Sequence, residues 1–264
     1  RSKRCATNSP RAELASVNRA AIYLGTAAWA IPKTSAEHFP AAGSHLDRYA
    51  ARLGAVEINS TFRQWHQTAT YARWAAGVPA AFRFALKLPQ AITHEAGLAG
   101  CDDLLARFLA DTSALGQRRG PLLVQLPPSL AFSPGTARDF FQSLRRRYEG
   151  PAVCEPRHAS WFAPEAERLL VDLRIARAAA DPAPQTGAGQ PAGWPELAYY
   201  RWHGQPRIYY SNYEGDALGA LAPRLVASSA AGETWCIFDN TALGFATANA
   251  LQMHQLLGAP DSHA

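Results

Sequence analysis

The 264-residue chain predicts an α/β fold, a single TIM-like (β/α)8 barrel that is irregular around strands 6–7. Two observations lead there. Eight short apolar runs mostly alternate with helix-patterned runs, which implies parallel strands joined by right-handed crossovers. The strand candidates also turn polar at their C-terminal ends, where barrel enzymes place their sites. An open doubly wound sheet is the competing architecture. It usually carries a GxGxxG turn after its first strand, and the turn here reads LGTAAWA.

Each element has a local reason. The first strand, AAIYLGT, leads through a loop to SHLDRYAARLG, a helix stopped at Gly54. AVEINSTF precedes TATYARWAAG, closed by Gly77, and FRFALKLP precedes DDLLARFLADTSALG, closed by Gly116. PLLVQLPPS precedes SPGTARDFFQSLRRRYEG. There Ser133 offers a cap, and Pro134 suits the first helical position, whose N–H needs no helical partner. PAVCEPRH precedes APEAERLLVDL. RIARAAAD, LAYYRWHG and TWCIFDN supply the last three strands, and LGFATANALQMHQLLG the closing helix. Residues 181–195, DPAPQTGAGQPAGWP, are too rich in Pro and Gly for the helix due at that point, so the sixth helix is expected to be short or missing.

Residues 1–20 read as a basic, flexible tail with five Lys+Arg against one Glu, and residues 21–264 as one barrel domain. The formal net charge is +5, so the tail holds most of it and the barrel is close to neutral, which argues against a basic nucleic-acid stripe. A composition 48% hydrophobic and 18% charged suits a large core and argues against disorder. The four cysteines make no CxxC pair, and Cys154 and Cys236 sit in apolar runs. That suggests free thiols in a reducing compartment, hence a cytoplasmic protein. No run is long enough to span a membrane. Walker A, GxSxG and HExxH patterns are absent, so no nucleotide cofactor motif is present. No pattern encodes an oligomeric state.

The strand ends carry the functional signal. The second strand ends in Glu57, Asn59 and Thr61, the third at Lys87, the fourth at Gln125, and the fifth in Glu155 and Arg157. The sixth ends at Asp181, the seventh in Arg201 and His203, the eighth at Asp239. A period of two puts each same-parity set on one face of its strand. Taken singly, any of these reads as a solvated strand end or a structural ion pair. Charged groups at six of eight strand ends point instead to a convergent site, because buried charge is costly unless paired or used. His158 is out of phase with Glu155 and Arg157 and is expected to face the loop or helix layer. Lys87 is one of only three lysines among 26 Lys+Arg, a compact charge whose pKa is tunable.

The segments YLGTAAW, VEINSTF, FALKLP with ITH just after, LVQLPPS, CEPRHASW, YYRWHG and IFDN run in this order from about Tyr23 to Leu257. Together they resemble the YecE-like family, domain of unknown function 72. The resemblance implies a TIM-barrel-like fold and brings no established activity with it. Its pattern covers Glu57, Asn59, Lys87, His94, Gln125, Glu155, Arg157, Trp161, Asp181, Arg201, His203 and Asn240. Where the family often reads GTSGW this chain reads GTAAW, so Ala27 and Ala28 replace a hydroxyl and a flexible backbone position. Arg63 stands where Tyr is common. Asp239 stands where Asn is commoner and adds an anion.

The leading expectation is an enzyme acting on a small anionic substrate, bearing phosphate or carboxylate, by acid/base chemistry such as hydrolysis or isomerisation. Glu57, Lys87, Glu155 and His203 are the candidate catalytic residues. Either glutamate would serve as base and His203 or His94 as acid, while Lys87, Arg157 and Arg201 hold the anion. Trp29, Asn59, His94, Gln125, Arg157, Trp161, Arg201, Tyr213 and Asn240 are candidates for binding substrate, with Phe62 as a further wall. A divalent metal stays open, with Glu57, Glu155, Asp181 and Asp239 as oxygen donors and His94, His158 and His203 as nitrogen donors. No local spacing is ligand-like, and the rim cations oppose a metal. The alternative class is a nucleic-acid-binding protein or a metal-dependent phosphodiesterase or nuclease, which the basic tail and the rim arginines suit.

Overall fold

The structure, a computed structural model, describes residues 22–258; the basic tail at 1–20 lies outside the described residues. Its strands are β1 (Ile22–Ala27), β2 (Ala55–Ile58), β3 (Arg83–Lys87), β4 (Arg119–Gln125) and β5 (Ala152–Glu155). Then come β6 (Ala176–Arg177), β7 (Ala179–Asp181), β8 (Ala192–Gly193), β9 (Leu197–Trp202) and β10 (Glu233–Phe238). From β1 the sheet runs through β2, β3, β4 and β5 to β6 on one side, and through β10 and β9 to β7 on the other.

β6 and β7 are two halves of one run, interrupted at Ala178. The first half bonds in parallel to β5 and the second in parallel to β9. All the predicted strands are therefore present, and this shared run brings the two sides of the parallel sheet together as a barrel. The predicted RIARAAAD strand is one element in sequence and two in pairing, because it must change neighbours where the barrel closes.

The helices are α1 (His45–Ala50), α2 (Thr68–Ala76), α3 (Asp102–Thr112), α4 (Pro134–Arg147), α5 (Pro164–Asp172), α6 (Gly215–Ser229) and α7 (Phe245–Leu256). Among the described residues no helix lies between β7 and β9. The Pro/Gly-rich stretch there contributes only β8, which pairs antiparallel with β6. Three local expectations are corrected. α1 stops at Ala50 rather than running to Gly54, and α3 stops at Thr112, where a 3-10 turn (Ser113–Arg118) takes over and holds Gly116 at φ 54°. Ser133 makes no capping bond; its hydroxyl lies 3.3 Å from Thr136 Oγ1, and Pro134 alone marks the start of α4.

Two cores result. The larger packs the outer faces of the strands against the helices and includes Leu24, Tyr49, Phe84, Leu122, Phe141 and Leu225. The smaller fills the barrel with Ala27, Ala55, Ala85, Leu123, Val153, Ala176, Ala178, Leu197, Tyr199, Trp235 and Ile237. Its volumes are complementary: alanines on one arc leave room for Trp235, whose ring stacks on Tyr23 at 4.8 Å and on Tyr199 at 6.0 Å. Gly120 is part of that fit, since a Cβ there would meet the Trp235 ring at 2.7 Å. Burying a ring of this size dominates the local energetics, and truncating it costs roughly 3–5 kcal/mol in such cores.

Inward parity continues past the apolar filling. Glu57 follows Ala55, Lys87 follows Ala85, Gln125 follows Leu123, Glu155 follows Val153, and Arg201 follows Tyr199, each two residues on. The barrel is thus apolar through its body and charged at its C-terminal mouth.

Candidate active site

The central group at the mouth is Arg201, 1% exposed. Its Nε and Nη2 donate to Glu57 Oε2 and Oε1 at 2.9 and 2.6 Å, a bidentate pair. Nη1 donates to Glu155 Oε2 at 2.8 Å, and Nη2 also stands 3.0 Å from Asp239 Oδ2. Tyr199 donates its hydroxyl to Glu57 Oε2 at 2.9 Å, so both oxygens of Glu57 are engaged. Arg157 reaches Glu155 Oε1 with Nε at 3.0 Å and Nη2 at 2.6 Å, and keeps a side chain 20% exposed.

His203 completes the network. Nδ1 lies 3.0 Å from Asp239 Oδ2 and Nε2 lies 3.2 Å from Glu155 Oε1. An ionised carboxylate only accepts, so each ring nitrogen facing one carries a proton and the side chain is an imidazolium. Burial pushes its pKa down, but Glu155 and Asp239 outweigh that and raise it. Burial likewise works against the carboxylates. Arg201, Arg157 and His203 nonetheless hold Glu155 well below the usual carboxylate range, and Arg201 and His203 hold Asp239 down too.

Three carboxylates therefore face two guanidinium groups and an imidazolium, and the charges balance. Lys87 is left over. Among the described residues its ammonium makes no ion pair with a carboxylate; it sits over the Phe62 ring, 4.1 Å from the centroid. Burial and the Arg201 charge lower its pKa to about 8, against the pull of Glu57, Glu155 and Asp239. A cation–π contact stabilises the ammonium less than a carboxylate does, so the proton is held loosely.

The network makes stability depend on pH. With folded carboxyl values below the unfolded ~4, the unfolded chain takes up protons first on acidification. Its contribution is present above ~4 and is lost as pH falls through the folded values of Glu155 and Asp239. His203 sets the other edge: its contribution is full below the unfolded ~6.5 and is lost as pH rises through the raised folded value. Urea unfolding at a series of pH values is expected to show a plateau in weak acid and a steep acid limb. Glu155→Gln is expected to make that limb shallower. An unchanged limb in that variant would place the acid sensitivity elsewhere.

The other predicted residues fall into two groups. At the mouth, His94 sits on a π-helical turn (Ala91–Glu95) with Nδ1 2.8 Å from Thr93 Oγ1, its ring edge-on to Phe62 at 4.8 Å. Burial, Lys87 and Arg157 all lower its pKa, so it is neutral at pH 7. Gln125 is nearly buried and donates to Leu126 O at 2.8 Å. Asn59 is half-buried at the start of the turn carrying Phe62. Trp29 is half-buried, with its ring against Trp74.

The second group braces the scaffold. Trp161 is buried against Phe132 and Phe141 and donates Nε1–H to Leu130 O at 3.0 Å. Tyr213 donates to Asp181 Oδ1 at 2.7 Å and accepts from Gly204 N–H at 2.8 Å. Asn240 donates to Ser211 O and Asn249 Oδ1. His158 caps the turn at Ala159–Phe162, away from the network, as its phase implied.

The metal candidates are likewise committed. Glu57, Glu155 and Asp239 are turned to their cations, and Asp181 takes Tyr213 and Gln205. Among the described residues no group of three His, Cys, Asp or Glu is placed to hold a metal ion.

Two residues at the site are not singled out by the sequence pattern. Tyr199 shares parity with Arg201 on β9, a signal that was legible but reads as core. Tyr209 is 41% exposed, with its ring 5.9 Å from His203 and its N–H bonded to His203 O. Its φ is 71°, an uncommon conformation for a residue with a Cβ, found beside the charged network. Nothing in the pattern PRIYYSNY signals that. Ala28, in contrast, has φ 77° at the position where the resemblance often has glycine, so backbone strain is present at the first strand's mouth. Asp239, another of the departures, is the third anion of the network.

Comparison with known proteins gives a consistent account. The family described as "Protein of unknown function DUF72" matches residues 23–264. The UPF0759 protein YecE of Escherichia coli K12 is 35% identical over 106 residues, 40% of this chain and 38% of that protein, so the match spans well under half of that relative's length. A DUF72 family protein from Enterococcus faecalis V583 superposes with a TM-score of 0.77 at 21% identity, covering 91% of this chain and 96% of that one. The 3-keto-D-glucoside 4-epimerase of E. coli superposes with a TM-score of 0.52 at 14% identity, covering 90% of this chain and 100% of its own, a likeness of fold alone. No helix among the described residues is long and apolar enough to cross a membrane.

Proposed function

We propose, for a chain that belongs to the DUF72 family, that the barrel mouth is an active site for a small anionic substrate worked on by acid/base chemistry. The observation that carries this reading is the surplus Lys87. The network is neutral without it, so the mouth is positive when Lys87 is protonated and neutral when it is not. A phosphate or carboxylate entering there meets an ammonium with no carboxylate partner among the described residues and the partly exposed guanidinium of Arg157. The likeness of fold to one enzyme, the 3-keto-D-glucoside 4-epimerase of E. coli, is compatible with such a role.

Lys87, rather than Glu57 or Glu155, supplies the base. Both glutamates have their oxygens engaged, and Glu155 is held too acidic to accept a proton near neutrality. A group with a pKa of about 8 both gives and takes a proton at working pH. Glu155 holds Arg157 in place, and neutral His94 stands ready as a second proton carrier.

The test is calorimetric titration with inorganic phosphate, then with phosphorylated and carboxylated metabolite mixtures. Phosphate is expected to bind to the wild type and at least ~10-fold more weakly to Lys87→Met, since one charge-assisted contact is lost. Equal affinity in the two proteins would remove Lys87 from the site.

A further inference from the structure

We propose that Lys87 is a nucleophile that forms an imine with the carbonyl carbon of a ketone or aldehyde bearing a phosphate or carboxylate group. This rests on the reading of the mouth as an anion site and goes beyond it in naming the bond and the substrate class.

Four features carry it. The amine is on the inward face at the end of β3, two residues after Ala85 in the barrel core, so it points to the mouth from a rigid strand. Among the described residues it is paired with no carboxylate; a lysine clamped in an ion pair would have its lone pair blocked by a firmly held proton. The guanidinium charge of Arg201, itself fixed by three carboxylates, opposes a second positive charge nearby, a recognised way to free an amine for attack. A proton carrier stands beside it: His94, whose ring packs edge-on with the same Phe62 ring that the ammonium contacts and which feels the Lys87 charge. The apolar ring of Phe62 also helps to keep bulk water from the amine.

The chemistry balances within the site. The Lys87 nitrogen lone pair bonds to the carbonyl carbon, and the C=O π pair moves to oxygen, which takes a proton. The nitrogen loses a proton to give a neutral carbinolamine. Its hydroxyl takes a further proton and departs as water while the C=N bond forms, so amine plus carbonyl gives imine plus water. No oxidant or other reactant is needed. The protonated imine withdraws electrons from the neighbouring carbon and makes its C–H acidic, with neutral His94 the nearby base. The substrate's anion stays on Arg157, whose guanidinium is fixed by Glu155.

The chain offers an internal control. Its three lysines are Lys3, Lys33 and Lys87, and Lys33 is exposed at the start of the turn Lys33–His38. The full chain is incubated with dihydroxyacetone phosphate or pyruvate, reduced with sodium borohydride, and digested for peptide mass mapping. The expected result with at least one probe is a stable reduced adduct on the Lys87 peptide, at least ~10-fold above that on Lys33. It should be lost in Lys87→Met and suppressed by inorganic phosphate. Adduct spread equally over Lys33 and Lys87 overturns the proposal. No adduct with either probe also overturns it. If phosphate still binds in a Lys87-dependent way, the anion site then stands without the imine; if phosphate does not bind either, both readings fall.

Discussion

Arg201→Met is expected to be the most damaging single substitution in the mouth, costing about 3–5 kcal/mol of folding stability. The guanidinium bridges Glu57, Glu155 and Asp239, all essentially buried, and methionine would leave those carboxylates facing one another. The loss comes from stranded anions rather than from missing volume, because Met fills much of the same space. Total stability of domains is of order 5–15 kcal/mol, so the variant should be folded only marginally. Urea unfolding measures it directly. Adding Glu57→Gln to Arg201→Met should recover part of the loss, since it removes one of the uncompensated charges. A loss under ~1 kcal/mol would mean the network contributes little and the ion pairs are incidental.

Lys87→Met is expected to go the other way, making the protein more stable as it loses ligand binding. Burial and Arg201 lower the amine from 10.5 to about 8. Between those values the unfolded chain holds a proton that the folded chain has released, so wild-type stability rises with pH across that window. Below it, the folded state bears the full cost of a poorly solvated ammonium. Relieving that cost at neutral pH should gain on the order of 2 kcal/mol, a few degrees in Tm. The advantage of the variant should shrink as pH climbs towards 10.5. This is the sign expected of a functional group kept at the expense of stability. A Tm lower than wild type, at any pH in that range, would show that the amine is a structural partner instead.

The barrel was legible because its two periodicities are strong. Alternating strands and helices gave the architecture, and the Pro/Gly-rich stretch at 181–195 marked the place where a helix is missing. Parity placed Glu57, Lys87, Glu155, Arg201 and His203 at one end of the same interior, since a strand has only two faces. Pairing was harder to read. Parity says that Glu155 and Arg201 both face inward; it does not say that Arg201 takes three carboxylates and leaves Lys87 with none. That choice depends on strand order and stagger around the ring, which bring together residues far apart in the chain. Trp161 and Tyr213 show the same limit: an aromatic just past a strand end reads alike whether it lines the mouth or braces a loop. Tyr209 was out of reach because its position follows from one unusual backbone angle.

The pairing of β1 with β10, and of Glu57 with Arg201 across 144 residues, also has a bearing on the order of events during synthesis. At translation rates of 5–20 residues per second, Glu57 precedes its arginine by roughly 7–30 s. Until then the nascent chain can form strand–helix units but cannot close the ring or give Glu57 its guanidinium partner. Asp239, from the last strand, arrives later still. The charged mouth is therefore completed late, with only α7 still to follow, and during synthesis the ion network seals a nearly finished barrel rather than seeding it.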